Sequence, residues 1–240
     1  MRRILLVALL CAGLSGVSAS VSYGDDGSSD SDAGQLIDLS HQIGDIQHKI
    51  ADLRAHGRWA RSGKLLQSAD CGYDDAAPVF LPWGDPASYA LAPQGDLSDT
   101  SLWTLKKTSL SVDRDPFSPS QASLVLSGDG QAITPAMCVN LDNPTIRLFI
   151  RNINASGRAK LKLDVLYEDL DGHVQHMTIA KLVAGDAWQP SVTIPIGVNV
   201  LSTASASGVT AVAFAFKGEG LKKDESWAID GLYVDPFSSR

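Results

Sequence analysis

The chain has 240 residues, 44% of them hydrophobic, with 20 basic against 27 acidic side chains and a formal net charge of −7. That length supports one large domain with accessory segments. The acidic balance offers no general phosphate-neutralising surface, which argues against nucleic acid as a partner and disfavours anionic lipid.

Arg2-Arg3, an apolar run from Ile4 to Leu14 and the small-x-small Val17-Ser18-Ala19 have the layout of a secretory signal. The reading predicts cleavage after Ala19, hence a secreted, extracellular or cell-surface protein with no membrane span left. An uncleaved anchor is the alternative, disfavoured because the run is short for a bilayer. Cys11 belongs to the discarded signal, since Leu10 stands where a lipoprotein signal takes a small residue.

Residues 20–34 are Ser, Asp and Gly with almost nothing apolar, too little to offset their ordering entropy, and read as a flexible acidic linker. Over 35–56, Leu36, Leu39, Ile43, Ile46, Ile50 and Leu53 recur at alternating spacings of three and four, the a/d seam of a heptad helix. The pattern predicts a short amphipathic helix that either oligomerises the protein or packs on its own domain. His41 and His48 share its outer face and read as solvated polar residues. Residues 57–70, with Arg58, Arg61 and Lys64, form a polar hinge.

From residue 71 to 240 the texture is all-β, with short apolar runs between Gly, Pro, Asp and Ser turns. Strands are predicted over 79–83, 102–112, 123–126, 136–141, 145–153, 159–168, 174–182, 191–196, 209–216 and 227–234. Leu161, Leu163, Val165 and Tyr167 alternate with polar residues, as do Val192, Ile194 and Ile196. Asp171-Gly172 is a hairpin signal, and Gly128-Asp129-Gly130 reads as a second tight turn. Some ten strands without intervening helices predict an antiparallel jelly-roll β-sandwich. In the last strand the apolar positions Trp227 and Ile229 slip out of phase with Leu232 and Val234. That slip predicts a β-bulge at Asp230-Gly231 in a strand inside the sheet. The row Ala211, Ala213 and Ala215 opposite Val212, Phe214 and Phe216 implies close approach by a covering loop or a shallow binding face. Two cysteines remain after signal removal, and an even count in an exported chain predicts a Cys71–Cys138 disulfide, the alternative being two separate thiols.

Phe80-Leu-Pro-Trp-Gly-Asp85, Pro135-Ala-Met-Cys-Val139, Arg147-Leu-Phe-Ile-Arg-Asn152 and Trp227-Ala-Ile-Asp-Gly-Leu-Tyr-Val-Asp-Pro-Phe237 resemble a group of secreted bacterial jelly-roll proteins. That group is similar to galactose-binding-like domains, including carbohydrate-binding modules. The resemblance implies a structural Ca²⁺ between Asp96, in Gly95-Asp-Leu-Ser98, and Asp230. Ser98 and Gly231 stand where the family pattern has acidic residues, and the alternative has Asp230 capping amides of the bulge and Asp96 serving a turn.

No nucleophile elbow, zinc motif, Cys-x-x-Cys or phosphate loop occurs, and no catalytic residue is assigned. Glu168, Asp169 and Asp171 cluster at a hairpin and read as turn formers. His173 and His176 fall on opposite faces of a strand, and Asn154-Ala155-Ser156 is a glycosylation sequon. Trp59, Trp83, Trp103, Trp188 and Trp227 are the candidate rings; Trp227 is assigned to packing, and Trp103 and Trp188 are singled out as ligand-binding, with core packing the favoured alternative for each. The expectation is an exported, non-catalytic protein binding carbohydrate or a surface glycan. A structural or assembly protein oligomerising through the N-terminal helix is the alternative, contacting other proteins, and a glycoside-active enzyme comes third.

Overall fold

The computed structural model describes residues 65, 68–73, 75–117, 119–155 and 159–235. The chain divides into two units, Met1–Gly34 and Gln35–Arg240, and all described residues belong to the second. The signal segment, the acidic linker and the heptad helix lie outside the described residues.

Among the described residues eleven strands form one antiparallel sheet: β1 (Ala90–Leu91), β2 (Thr104–Ser111), β3 (Ser123–Ile133), β4 (Met137–Val139), β5 (Thr145–Asn152), β6 (Lys160–Glu168), β7 (Val174–Leu182), β8 (Gln189–Pro190), β9 (Ile194–Pro195), β10 (Thr210–Glu219) and β11 (Ser226–Val234). Its order is β7-β6-β10-β3-β11-β5-β8, with β2 along β3, β4 on β10, and β1 and β9 on β11 and β5. The sheet curls over so that one half, β7-β6-β10, and the other, β11-β5, share a single core. Leu161, Leu163 and Val165 of β6 and Val212, Phe214 and Phe216 of β10 meet Ile146, Leu148 and Ile150 of β5 and Trp227 and Ile229 of β11 there. This is the curled, mostly antiparallel arrangement of a jelly roll.

The curl originates in β3. Gly128-Asp129-Gly130, expected to be a hairpin turn, instead bends one continuous strand. Residues 124–127 pair with β11 and residues 131–133 with β10, so β3 passes from one half-sheet to the other. Gly128 has φ 56°, and a Cβ on Gly130 would meet the Lys107 carbonyl at 2.6 Å, so both glycines are required by the bend.

Three further expectations are corrected. Residues 79–83 form no strand: Leu81–Trp83 is a 3-10 turn, with Pro82 at its start and Gly84 left-handed at its end. Pro82 lacks the N–H a ladder needs, and Gly84 reverses the chain. Of the strand expected at 191–196 only the two-residue β9 forms, with β8 ending just before it at Pro190, so Val192 is 69% exposed while Ile194 and Ile196 are buried. Glu168, read as an outward turn former, is buried, and one oxygen accepts the Leu65 amide at 2.6 Å.

β11 behaves as its pattern predicts. It lies between β3 and β5, its register shifts between Asp230 and Tyr233, and Gly231 takes φ 50°. The Asp171-Gly172 hairpin joins β6 to β7.

Cys71 and Cys138 form a disulfide whose Cα atoms are 4.8 Å apart. Cys138 is in register with Ala211, so the bridge sits on the alanine face of β10, and Asp70 pairs with Met137 beside it. The small side chains thus admit a covering segment, which the Tyr73 hydroxyl fastens by donating to the Cys138 carbonyl. The bridge closes 67 residues, and its loss is expected to cost about 4 kcal/mol, on the order of 10 °C in melting temperature. Calorimetry of a Cys71→Ser/Cys138→Ser variant checks this; an unchanged melt would show that the covering segment holds without it.

Candidate functional site

Three of the four motifs quoted above converge on the outer face of the β5–β11 half-sheet. On β5, Arg147, Phe149 and Arg151 alternate outward while Leu148 and Ile150 enter the main core. On β11, the bulge returns Tyr233 to the same face, opposite Arg147. The Phe80–Asp85 segment lies over them.

Phe80 is the keystone of this second, smaller core. Its ring meets Tyr89 edge-on at 4.9 Å, Phe149 at 5.3 Å and Tyr233 edge-on at 5.5 Å. Edge-to-face pairs of this kind add about 0.5–1.5 kcal/mol beyond the area they bury. The Arg147 guanidinium stacks on the Phe80 ring 4.2 Å from its centroid. Its Nη1 donates to Asp85 Oδ2 at 2.8 Å, and Nε and Nη2 donate to the Ser191 carbonyl at 3.0 and 2.7 Å. Asp85 also accepts from the Tyr89 hydroxyl and the Ala87 amide. Burial pushes the Asp85 carboxyl up, but Tyr89, the Ala87 amide and Arg147 outweigh it and hold the group below the ordinary carboxylate range. Burial, then the hydrogen bond to Asp85, pushes Tyr89 up to about 12.

Two rings project outward from this base. Trp83 is 38% exposed and Phe117 50% exposed, and they meet edge-on at 4.6 Å. Both rest on Phe149, Trp83 at 5.6 Å and Phe117 stacked at 5.7 Å. Arg151, next outward on β5, is ion-paired with Asp113, and its Nε donates to the Asp186 carbonyl at 2.8 Å. The surface is therefore a pair of fixed apolar rings beside a charged, hydrogen-bonding edge.

A buried carboxyl pair holds Phe117 in place. Asp115 Oδ1 accepts the Phe117 amide at 2.7 Å, and Asp230 Oδ2 accepts the Asp115 amide at 3.0 Å. Asp230 Oδ1 accepts the Gly231 amide at 2.8 Å, so the side chain caps the bulge. Burial pushes Asp230 up to about 7; the Ser120 hydroxyl and the Asp115 amide pull it down and the Asp115 carboxyl pushes it up.

Calcium is the group the resemblance implies between Asp96 and Asp230. Asp96 lies on the loop that packs on the bulge, where the Leu232 amide donates to the Gly95 carbonyl at 3.0 Å. Its Oδ1 accepts from the amide and hydroxyl of its own neighbour Ser98, and Asp230 is joined to Asp115 instead. Calcium needs six to eight oxygens. Here amide donors face the Asp230 oxygens, so the donor set does not fit the ion. Among the described residues, the group bringing three ligand atoms within 4.8 Å is Asp169, Asp171 and His173, at the β6–β7 turn. Asp169 accepts the Asp171 and His173 amides and the Gln175 side-chain amide there, as a turn former does.

A pH dependence follows from Asp230. Its folded pKa lies above the ordinary carboxylate value, so its contribution is fully present below about pH 4 and is lost as pH rises through about 7. Melting temperature is therefore expected to be higher at mildly acidic than at mildly basic pH, a stability difference on the order of a few kcal/mol. Asp230→Asn should flatten that slope even though it loses an amide acceptor. Added calcium should leave the melt unchanged; a calcium-dependent rise abolished by Asp230→Asn would restore the metal.

Of the two rings predicted as ligand contacts, Trp103 is buried in the main core and donates Nε1 to the Gln94 carbonyl, so it presents no face. A tryptophan with that partner belongs to packing. Trp188 is half-buried against the Phe80 cluster, its Nε1 without a partner among the described residues. Sequence reasoning counts Trp83 among the five candidate tryptophans without singling it out, and it does not reach Phe117. Trp83 ends an apolar run that reads as a strand, and Phe117 stands in an Asp-Pro-Phe-Ser-Pro loop with no periodicity to mark it.

No protein-family model and no curated protein matches the chain. Solved structures of carbohydrate-binding modules are similar to it. The xylan-binding CBM22-1 domain of Paenibacillus barcinonensis Xyn10C is 15% identical, covering 59% of this chain and 89% of that one at a TM-score of 0.40. The family 11 carbohydrate-binding module of Clostridium thermocellum Lic26A-Cel5E is 10% identical over 62% and 95%, TM-score 0.36. The CBM22-1 and GH10 modules of the Clostridium thermocellum endo-1,4-β-D-xylanase 10B are 10% identical over 58% of this chain and 27% of that one, TM-score 0.40. The chain thus spans about a quarter of that xylanase structure.

Proposed function

We propose that this is an exported, non-catalytic carbohydrate-binding protein whose ligand stacks on Trp83 and Phe117. The observation that carries the reading is this exposed, edge-on ring pair, held by a buried aromatic cluster. Sugar rings present an apolar C–H face flanked by hydroxyls. Exposed aromatic rings suit the face, and the Arg151–Asp113 edge suits the hydroxyls. Preorganisation supports the same conclusion, because rings already fixed by Phe149 lose little conformational freedom on binding. Export by the 1–19 segment belongs to the same reading, as do the flexible acidic linker of 20–34 and the amphipathic helix of 35–56. Affinity electrophoresis of the full chain through gels containing neutral xylan, β-glucan or galactan tests it. Retardation by at least one polymer is expected, and migration unaffected by every polymer would overturn the proposal.

A further inference from the structure

The opposite face of the sandwich carries a feature the ring pair does not explain. Lys106, Gln131, Lys217, Lys162 and Lys181 stand in direct register across five consecutive strands, β2, β3, β10, β6 and β7. In-register residues share a face, and here it is the outer one, because the alternating neighbours Phe216, Leu161 and Leu163 enter the core. At about 4.8 Å per strand the row is roughly 19 Å long. Lys107 lies beside Lys106, and Lys160 lies one step along from Lys162, opposite Glu219. Three acidic side chains answer these cations: Asp164 bonds Lys162 at 3.0 Å, Glu219 bonds Lys181 at 3.0 Å, and Asp129 pairs with Lys107 and, at 4.0 Å, with Lys106. Lys217, at the centre and exposed, makes no ion pair among the described residues. Like charges directly opposite on neighbouring strands destabilise a sheet. In a chain of net charge −7, a straight cationic row is a local exception. One step along the same face stand Ile133, Ala215 and Asp164 in register, with Ala215 buried.

We infer that this row binds a linear polysaccharide carrying carboxylates, a polyuronate, laid across the strands with its anions against Lys217, Lys162 and Lys181. The choice of a polysaccharide rests on the carbohydrate-binding reading above. Carboxylates fit because each ammonium is a compact point charge that pairs with one anionic group, and uronic acids are the carboxylate-bearing units of a polysaccharide. A polymer suits a row better than a single anion does, since successive cations at strand spacing meet successive charges. The attraction is between exposed groups, so it weakens with salt.

The test uses the full chain on immobilised polygalacturonate, with neutral galactan and inorganic polyphosphate as comparators, at low and high salt. Retention on polygalacturonate is expected at low salt and is lost at high salt. A Lys162→Gln/Lys181→Gln/Lys217→Gln variant should bind polygalacturonate roughly ten-fold more weakly and neutral galactan as before. Asp164→Asn/Glu219→Gln, which removes two competing anions, should bind polygalacturonate more tightly, an effect that damage to the fold would not produce. Unaltered polygalacturonate binding in the lysine variant overturns the inference, and so does equal retention on polyphosphate, which marks simple ion exchange. Failure of the wild-type protein to bind any neutral glycan would instead strike the ring-pair proposal, leaving polygalacturonate retention to be read separately.

Discussion

Replacing Trp83 and Phe117 together by alanine is expected to abolish retardation by neutral glycans, a loss of at least about ten-fold in affinity, with little change in melting temperature. Both rings are exposed on their outer sides, and each rests on Phe149 without entering the main core. Truncating such anchors removes a concentrated share of binding energy, commonly about 2 kcal/mol or more per central aromatic. Phe149, Phe80 and Tyr233 stay packed on one another in the variant, so the base survives. Binding measured beside calorimetry checks the claim. Loss of affinity with an intact melt supports it; unchanged affinity places the glycan elsewhere.

Arg147→Leu is expected to have the largest effect on stability, about 3–5 kcal/mol, because it strands a carboxylate that the fold has taken from water. Arg147 is 7% exposed, and its three donors are divided between Asp85 and the Ser191 carbonyl. Losing it leaves Asp85 with the Tyr89 hydroxyl and the Ala87 amide but no positive partner. It also releases the Ser191 carbonyl, which helps hold the β8–β9 segment against β5, and removes the cation over the Phe80 ring. Denaturant unfolding of Arg147→Leu, Asp85→Leu and the double variant forms a cycle. The double variant should be more stable than Arg147→Leu alone, since an apolar pair leaves no buried charge unanswered. The Phe80–Trp83 segment hangs on this ion pair, so Arg147→Leu should also weaken glycan binding.

The core was legible in the sequence where periodicity is unambiguous. Leu161, Leu163 and Val165 alternate without interruption, and the slip at Asp230-Gly231 announced the bulge in β11. Cys71 and Cys138 could be paired by counting because they are the only cysteines after residue 19. What failed did so for backbone reasons. Gly128-Asp129-Gly130 has the composition of a hairpin turn, and only long-range pairing of β3 with both β10 and β11 makes it a bend. Pro82 and Gly84 carry the signal of a 3-10 turn, but the apolar run around them reads as a strand. The candidate site was less legible than the fold. Its ingredients come from 80–85, 113–117, 147–151 and 230–233, and one sequence does not reveal which exposed rings neighbour each other across such gaps. The resemblance motifs did contain most of it, because Phe80, Asp85, Arg147, Phe149 and Tyr233 make each other's burial possible. Trp103 takes the packing alternative that its sequence left open: Leu102 and Leu105 flank it, its ring enters the main core, and its N–H is donated to the Gln94 carbonyl.

The most direct measurement is a two-dimensional NMR titration of the full chain with a bound neutral oligosaccharide, following the indole N–H signals of its five tryptophans and the Phe117 backbone amide. If the glycan stacks where proposed, the Trp83 indole and Phe117 amide shift most, Arg151 follows, and Trp103 and Trp227 in the main core stay still. Shifts that spare Trp83 and Phe117 while the ligand is demonstrably bound would contradict the account.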